Sequence, residues 1–161
     1  MDSKKIFFAL IVSALLIGSV CAASVNDFKV DSSFSNKAFS SDYYSVYTNN
    51  KQDSGIAIYK NIDDDAYDNL NDDAVDHLVH DDGREYIVAD DDMRIAKNPD
   101  NTANFTDLDD AEHGVVEVVQ SGSEQYVVVV WAKDSSNINN ADLMSKLTAF
   151  NKDNGVSAVA F

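Results

Sequence analysis

The spacing of hydrophobic residues along this chain alternates between strand-like and helix-like patterns. Residues 43–48 and 56–59 are rich in Tyr, Val and Ile, and the polar segment 49–55 separates them, which predicts a β-hairpin. A second hairpin is predicted from residues 115–119 and 126–132, joined by a Ser-Gly-Ser-Glu turn at 121–124. Residues 127–131 are apolar at every position, which is typical of a central strand covered on both faces.

Further strands are expected from shorter apolar stretches of the chain. They are placed at 28–34, 86–89, 93–96 and 156–161. Segment 35–41 is polar and turn-like, and segment 98–104, which holds the single proline, is expected to be a loop.

Two segments show helical spacing instead. The first starts at Asp63 or Asp64 and ends before Gly83, and its apolar stripe comprises Ala66, Leu70, Ala74 and Leu78. The second is capped by Asn139 or Asn140, buries Leu143, Leu147 and Phe150, and ends at Asn154-Gly155. The pattern predicts a single α+β domain: a mainly antiparallel sheet of about five to seven strands, with two helices on one face, preceded by a signal-peptide helix.

The N-terminus has the pattern of a secretion signal. Lys4 and Lys5 precede an apolar run over residues 6–20, and small residues follow it. The run is shorter than the roughly 20 residues that cross a bilayer, so residues 1–22 are expected to be cleaved, leaving a secreted domain at 23–161. Cleavage after Ala22 or after Ala23 fits the small-residue rule, and an uncleaved membrane anchor is the alternative.

The net charge limits the possible partners, and the cysteine content limits how the domain can be stabilised. The net charge is −16, so nucleic acid and anionic lipid surfaces are excluded, and a soluble monomer is expected. Cleavage removes Cys21, the single cysteine, so the domain must be stabilised by its core rather than by a disulfide.

Acidic residues are concentrated in two segments, but neither has the spacing of a calcium loop. Nine aspartates lie between Asp63 and Asp82, in and just beyond the first predicted helix. In the second segment, Asn98, Asp100, Thr102 and Asp109 supply oxygens at calcium-like offsets, but Ala103 stands where the loop glycine is required. A solvated acidic surface is the simpler interpretation.

The histidines suggest one metal site. His77 and His80 are three residues apart on the first predicted helix, and with Asp81 they could hold a transition metal. His113 is the remaining histidine, and the glutamate of the zinc-protease motif is absent. The competing interpretation is two surface histidines favoured by the helix dipole.

Signatures of catalysis and cofactor binding are otherwise missing. The sequence contains no Gly-x-Ser-x-Gly elbow and no phosphate-binding glycine loop, so neither enzymatic activity nor a cofactor is expected. Asn104-Phe105-Thr106 forms an N-glycosylation triplet within the expected loop, which makes Asn104 a candidate modification site.

The C-terminal third carries a resemblance. The segments GVVEVVQSGSEQYVVVVWAKD and LMSKLTAFNKDNGVSAVAF resemble small secreted proteins of unknown function from methanogenic archaea. More distantly, the order of elements is similar to PsbP-like α+β domains, a resemblance that implies an accessory or assembly role.

These observations predict a non-catalytic, secreted or cell-surface module that binds a protein, a cell-envelope polymer or cations. One alternative is a small metal-dependent hydrolase using His77, His80 and Asp81 or Asp82. Another is a structural wall component whose acidic helix concentrates cations. Contact with a membrane is expected only through an uncleaved N-terminal segment.

Overall fold

The computed structural model describes residues 23–60, 93–107 and 111–159. Seven strands form one antiparallel sheet in the order β1-β2-β3-β7-β6-β5-β4, and one helix follows them in the chain. The elements are β1 (Asn36–Ser40), β2 (Tyr44–Thr48), β3 (Ser54–Lys60), β4 (Met93–Lys97), β5 (Thr102–Asp107), β6 (Glu112–Ser121), β7 (Glu124–Lys133) and α1 (Asn140–Asn154). The prediction of a mainly antiparallel sheet with a helix is confirmed.

The valine-rich strand β7 lies at the centre of the sheet, as its uninterrupted apolar run predicts. It pairs with β3 on one side and with β6 on the other. Val128 and Val130 belong to the core cluster beneath α1, and Val127 belongs to a second cluster on the opposite face. All three are fully buried, so hydrophobic burial on both faces fixes the strand.

Helix α1 begins and ends where the sequence predicts. The Asn139 side chain accepts hydrogen bonds from the backbone of Ala141 and Asp142, and Asp142 completes the capping box. Gly155 ends the helix at φ 64°, in the left-handed region that glycine tolerates. Leu143, Leu147 and Phe150 are buried, and α1 packs on β6 and β7.

The segment preceding β1 belongs to the core, although it is not the strand predicted at 28–34. Val25, Phe28 and Phe34 are buried in the cluster under α1, and the backbone between them forms turns. The Lys29 backbone exchanges two hydrogen bonds with the Asn154 side chain, at 2.7 and 2.9 Å. Side-chain packing and contacts with α1, rather than sheet pairing, therefore hold this segment in place.

Three further strand predictions require correction. The polar segment predicted as a turn forms β1, because backbone pairing with β2 at the sheet edge does not require apolar side chains. The expected loop at 98–104 ends early, since β5 starts at Thr102 and buries Ala103. Where a last strand is predicted, residues 156–159 make one isolated bridge, between Ala158 and Val119.

The signal peptide, the first predicted helix and the strand predicted at 86–89 lie outside the described residues. Within the described segments, no helix is both long enough and apolar enough to cross a bilayer.

Candidate functional site

A cavity of about 370 Å³ lies where β5, β6, α1 and the chain after α1 meet. Its polar lining consists of Asp100, Thr102, Glu117, Thr148, Asn151 and Ser157. Its apolar lining consists of Met144, Leu147, Val156 and Ala158. Six polar and four apolar residues thus line the cavity, and its volume lies within the usual range of small-ligand sites, where polar groups orient a ligand held against apolar side chains.

Glu117 reaches this cavity because of strand alternation in β6. Val115 and Val119, two residues before and after it, lie in the core cluster under α1, so Glu117 faces the helix as well. Its side chain is only 1% exposed. A buried carboxylate in the middle of a valine strand is unusual, because removing a charge from water costs several kcal/mol unless a partner offsets it.

The Glu117 carboxylate is incompletely paired. Its Oε1 atom is buried and has no hydrogen-bond partner within segments 23–60, 93–107 and 111–159. Burial raises the pKa of Glu117 to about 7 from its ordinary 4.5; the Asn151 side chain, by hydrogen bonding, lowers this pKa, and the charge of Asp100 raises it further. Glu117 is therefore poised between its neutral and charged forms near neutral pH.

Asp100 is the second carboxylate of the cavity, and it lies in a different environment. Its Oδ1 accepts hydrogen bonds from the Thr102 hydroxyl at 2.7 Å and from the Thr102 backbone N–H at 3.3 Å. The hydroxyl bond is the main reason that the pKa of Asp100 is lowered. Asp100 is exposed and stays ionised where Glu117 can be neutral.

Asn151 forms the helix side of the site. Its Oδ1 atom is also buried, and no described residue hydrogen-bonds to it. Glu117 and Asn151 thus each contribute an unused acceptor to the lining of the same cavity, and an unpaired buried acceptor costs about 1–3 kcal/mol. A ligand that supplies hydrogen-bond donors or positive charge would satisfy both atoms.

Sequence reasoning missed this site, although one signal was present. The stretch GVVEVVQ places a single glutamate at a core-facing position of a predicted strand. Its apolar neighbours on both sides identify Glu117 as a buried charge, whereas nothing in the expected loop at 98–104 indicates that its aspartate, Asp100, lines the same cavity.

The structure does not test the predicted metal site. His77, His80, Asp81 and Asp82 lie outside the described residues. His113 does not line the cavity: its Nδ1 lies 2.8 Å from Asp134 Oδ1, and its Nε2 lies 2.9 Å from the Ile138 carbonyl oxygen. Within segments 23–60, 93–107 and 111–159, no three His, Cys, Asp or Glu residues are grouped closely enough to hold a metal ion.

Asn104, the candidate glycosylation site, lies in β5 rather than in a loop. It pairs with Ala96 of β4 on one side and with Val115 of β6 on the other, and its side chain is half-buried. The expectation that the triplet occupies a loop is wrong because strand pairing extends to Thr102. Glycosylation of Asn104 stays a prediction.

Comparison with known proteins finds no matching family model, no similar curated protein and no similar solved structure. The function is therefore inferred from the residues of the chain itself.

Proposed function

We propose that this protein is an exported, non-catalytic binding module, secreted or held at the cell surface, that takes a cationic ligand in the cavity around Glu117. The buried Glu117 carboxylate with its unpartnered Oε1 atom carries this proposal. The cationic group could belong to a free ion or small molecule, to a protein or to a polymer of the cell envelope.

The electrostatics of the cavity support a cation rather than an anion. Among the residues that the structure describes, its two titratable lining groups are both carboxylates, Glu117 and Asp100, and no lysine, arginine or histidine lines it. The chain as a whole carries a net charge of −16, which favours the approach of positively charged ligands. An anion at this position would face two carboxylates and the unpaired Oδ1 atom of Asn151.

The balance of burial energies supports the same ligand class. A neutral Glu117 has one O–H donor and still buries its remaining acceptor capacity, whereas a charged Glu117 is a buried anion with no counter-ion among the described residues. A bound cation relieves both costs, since a buried charge becomes tolerable when it is paired and hydrogen-bonded.

The test is an NMR titration of the exported, ¹⁵N-labelled protein with CaCl₂, MgCl₂ and n-butylammonium chloride at pH 7.5. We expect at least one of these salts, at matched ionic strength, to cause saturable shifts at the amides of Glu117, Thr148 and Asn151. E117Q should abolish those shifts, while the control D153N, an exposed aspartate on α1, should keep them. If no salt gives a saturable shift there, or if E117Q responds as the natural protein does, the proposal fails.

A further inference from the structure

We infer that the cavity around Glu117 takes a primary alkylammonium group, with the ammonium head at Glu117 and the alkyl stem along the wall formed by Met144, Leu147 and Val156. The inference rests on the proposed function, because it specifies which cations the site accepts. Free alkylamines and lysine side chains share this chemistry.

The first support is the hydrogen-bond inventory of the cavity. Glu117 Oε1 and Asn151 Oδ1 are acceptors without partners among the residues that the structure describes, and both residues line the cavity. Asp100, also in the lining, presents a second carboxylate. A primary ammonium carries three donors and no acceptor, so it matches these three side chains without leaving a group of its own unpaired.

The second support is the hydrogen bonding of Thr102, whose hydroxyl is a donor in the lining of the cavity. The Thr102 hydroxyl donates its proton to Asp100, and its oxygen accepts a hydrogen bond from Asn98 Nδ2 at 2.9 Å. Thr102 lies directly opposite Glu117 in the strand pairing, yet its hydroxyl proton goes to Asp100 and not to Glu117. Thr102 therefore supplies no donor to Glu117 Oε1, and a bound molecule with N–H groups would supply one.

The third support is the mixed chemistry of the walls. Met144, Leu147, Val156 and Ala158 present apolar surface beside the carboxylates. A hydrated metal ion gains nothing from such a surface, whereas the methylenes of an alkylammonium are removed from water against it.

The oxygen count also disfavours a metal. Calcium takes six to eight oxygen ligands, commonly including several carboxylates. The lining of this cavity has two carboxylates, and among the residues that the structure describes no third acidic side chain or histidine joins them. A volume of about 370 Å³ also suits a small organic molecule better than a single ion.

Access to Glu117 sets a condition on binding. Its Oε1 atom is closed off from bulk water, and Asn151 is the side chain that hydrogen-bonds to its carboxylate. An ammonium at the carboxylate would take the place of this half-buried amide. The resulting charge-assisted hydrogen bonds replace the one lost and are stronger than it.

The experiment compares n-butylammonium chloride with tetramethylammonium chloride and CaCl₂ by NMR titration of the exported protein at pH 7.5. Tetramethylammonium has the same charge but no N–H donor. We expect n-butylammonium to bind about tenfold or more tightly than tetramethylammonium, which corresponds to the loss of a charge-assisted hydrogen bond. E117Q should weaken n-butylammonium binding by about tenfold or more, and D153N should leave it unchanged.

Each contrary outcome has a separate meaning. Equal binding of the two ammonium ions would overturn this inference and leave the cation-binding proposal standing. Binding of Ca²⁺ alone, abolished by E117Q, would do the same. If none of the three cations binds, or if E117Q binds them as tightly as the natural protein does, both proposals fail. Should E117Q not fold, D100N serves instead: weakened n-butylammonium binding supports the inference, and unchanged binding overturns it.

Discussion

Thr102 of β5 lies directly opposite Glu117 of β6, but it donates its hydroxyl proton to Asp100 rather than to the glutamate. This pairing gives the two carboxylates of the cavity opposite properties. The pKa of Asp100 is lowered by the Thr102 hydroxyl, whereas the pKa of Glu117 is raised by burial. One side chain therefore stays charged while its neighbour gains or loses a proton near pH 7.

The stability of the protein should fall as pH rises through the titration range of Glu117. The folded protein holds the Glu117 proton up to a pKa of about 7, whereas the unfolded chain releases it near 4.5. Between these values the folded state binds more protons, so the free energy of unfolding decreases with pH, by about 3 kcal/mol in total if Glu117 alone is considered. E117Q should remove this contribution and be more stable than the natural protein at pH 8.

Urea denaturation at pH 4.5, 6 and 8 measures this effect, with D153N as the control for other titrating groups. D153N should retain the pH dependence of the natural protein, and E117Q should show less of it. Equal pH dependence in all three proteins would show that Glu117 does not titrate as its burial requires.

Gly114 should be intolerant of a side chain. It lies opposite Phe105 in β5, and a Cβ atom there would collide with the Phe105 ring and with the Val130 carbonyl oxygen. Since a backbone atom of central strand β7 is involved, G114A should cost about 3 kcal/mol or more. At Gly155 a Cβ atom meets no neighbour, so G155A should cost only about 1 kcal/mol, from its positive φ. Thermal unfolding of both variants tests which substitution costs more stability. A smaller loss of stability in G114A than in G155A would contradict the prediction.

The hydrogen bonds between Asn154 and Lys29 should hold the N-terminal segment against α1. N154A removes both bonds to the Lys29 backbone, at about 1 kcal/mol each. We expect faster hydrogen exchange at residues 28–34 in N154A, with little change in β6 and β7. The control D153A alters the adjacent exposed residue and should leave exchange at 28–34 unchanged. Uniformly faster exchange in N154A would mean that the segment unfolds only with the whole domain.

We propose that export removes residues 1–22 and leaves Ala23 as the first residue. The Tyr126 hydroxyl donates a hydrogen bond to the Ala23 carbonyl oxygen, and Ala23 packs against the core cluster. Cleavage one residue later would remove this acceptor and leave a hydroxyl at the core unpaired. Intact mass and N-terminal sequencing of the secreted protein decide between Ala23 and Ser24 as its start, and Ser24 would contradict the proposal.

The sequence was sufficient to predict elements whose ends depend on a few neighbouring residues. Asn139 and Gly155 bound α1 through hydrogen bonds and backbone conformation that depend on a few neighbouring residues. The central position of β7 followed from its uninterrupted apolar run, because both faces of a central strand are covered: Val127, Val128 and Val130 are fully buried, and Val129 and Trp131 are partly buried.

Elements set by distant pairing could not be predicted in this way. Strand β1 is mostly polar and exposed. It forms because its backbone hydrogen-bonds to that of β2, and the sequence of residues 36–40 does not indicate this pairing. The same holds for Thr102 in β5, whose neighbours Asp100 and Asn101 are typical of turns. The cavity escaped prediction because it joins residues from β5, β6 and α1 that are far apart in sequence.

The most direct test of this account is the titration of the Glu117 side-chain carboxyl carbon by ¹³C NMR, with and without n-butylammonium chloride. Without the amine we expect a pKa of about 7, as burial requires. With saturating amine we expect a clearly lower pKa, because a neighbouring positive charge favours the carboxylate. A pKa near 4.5 that does not change when the amine is added would contradict the account, since Glu117 would then be neither a buried acid nor the contact for a cation.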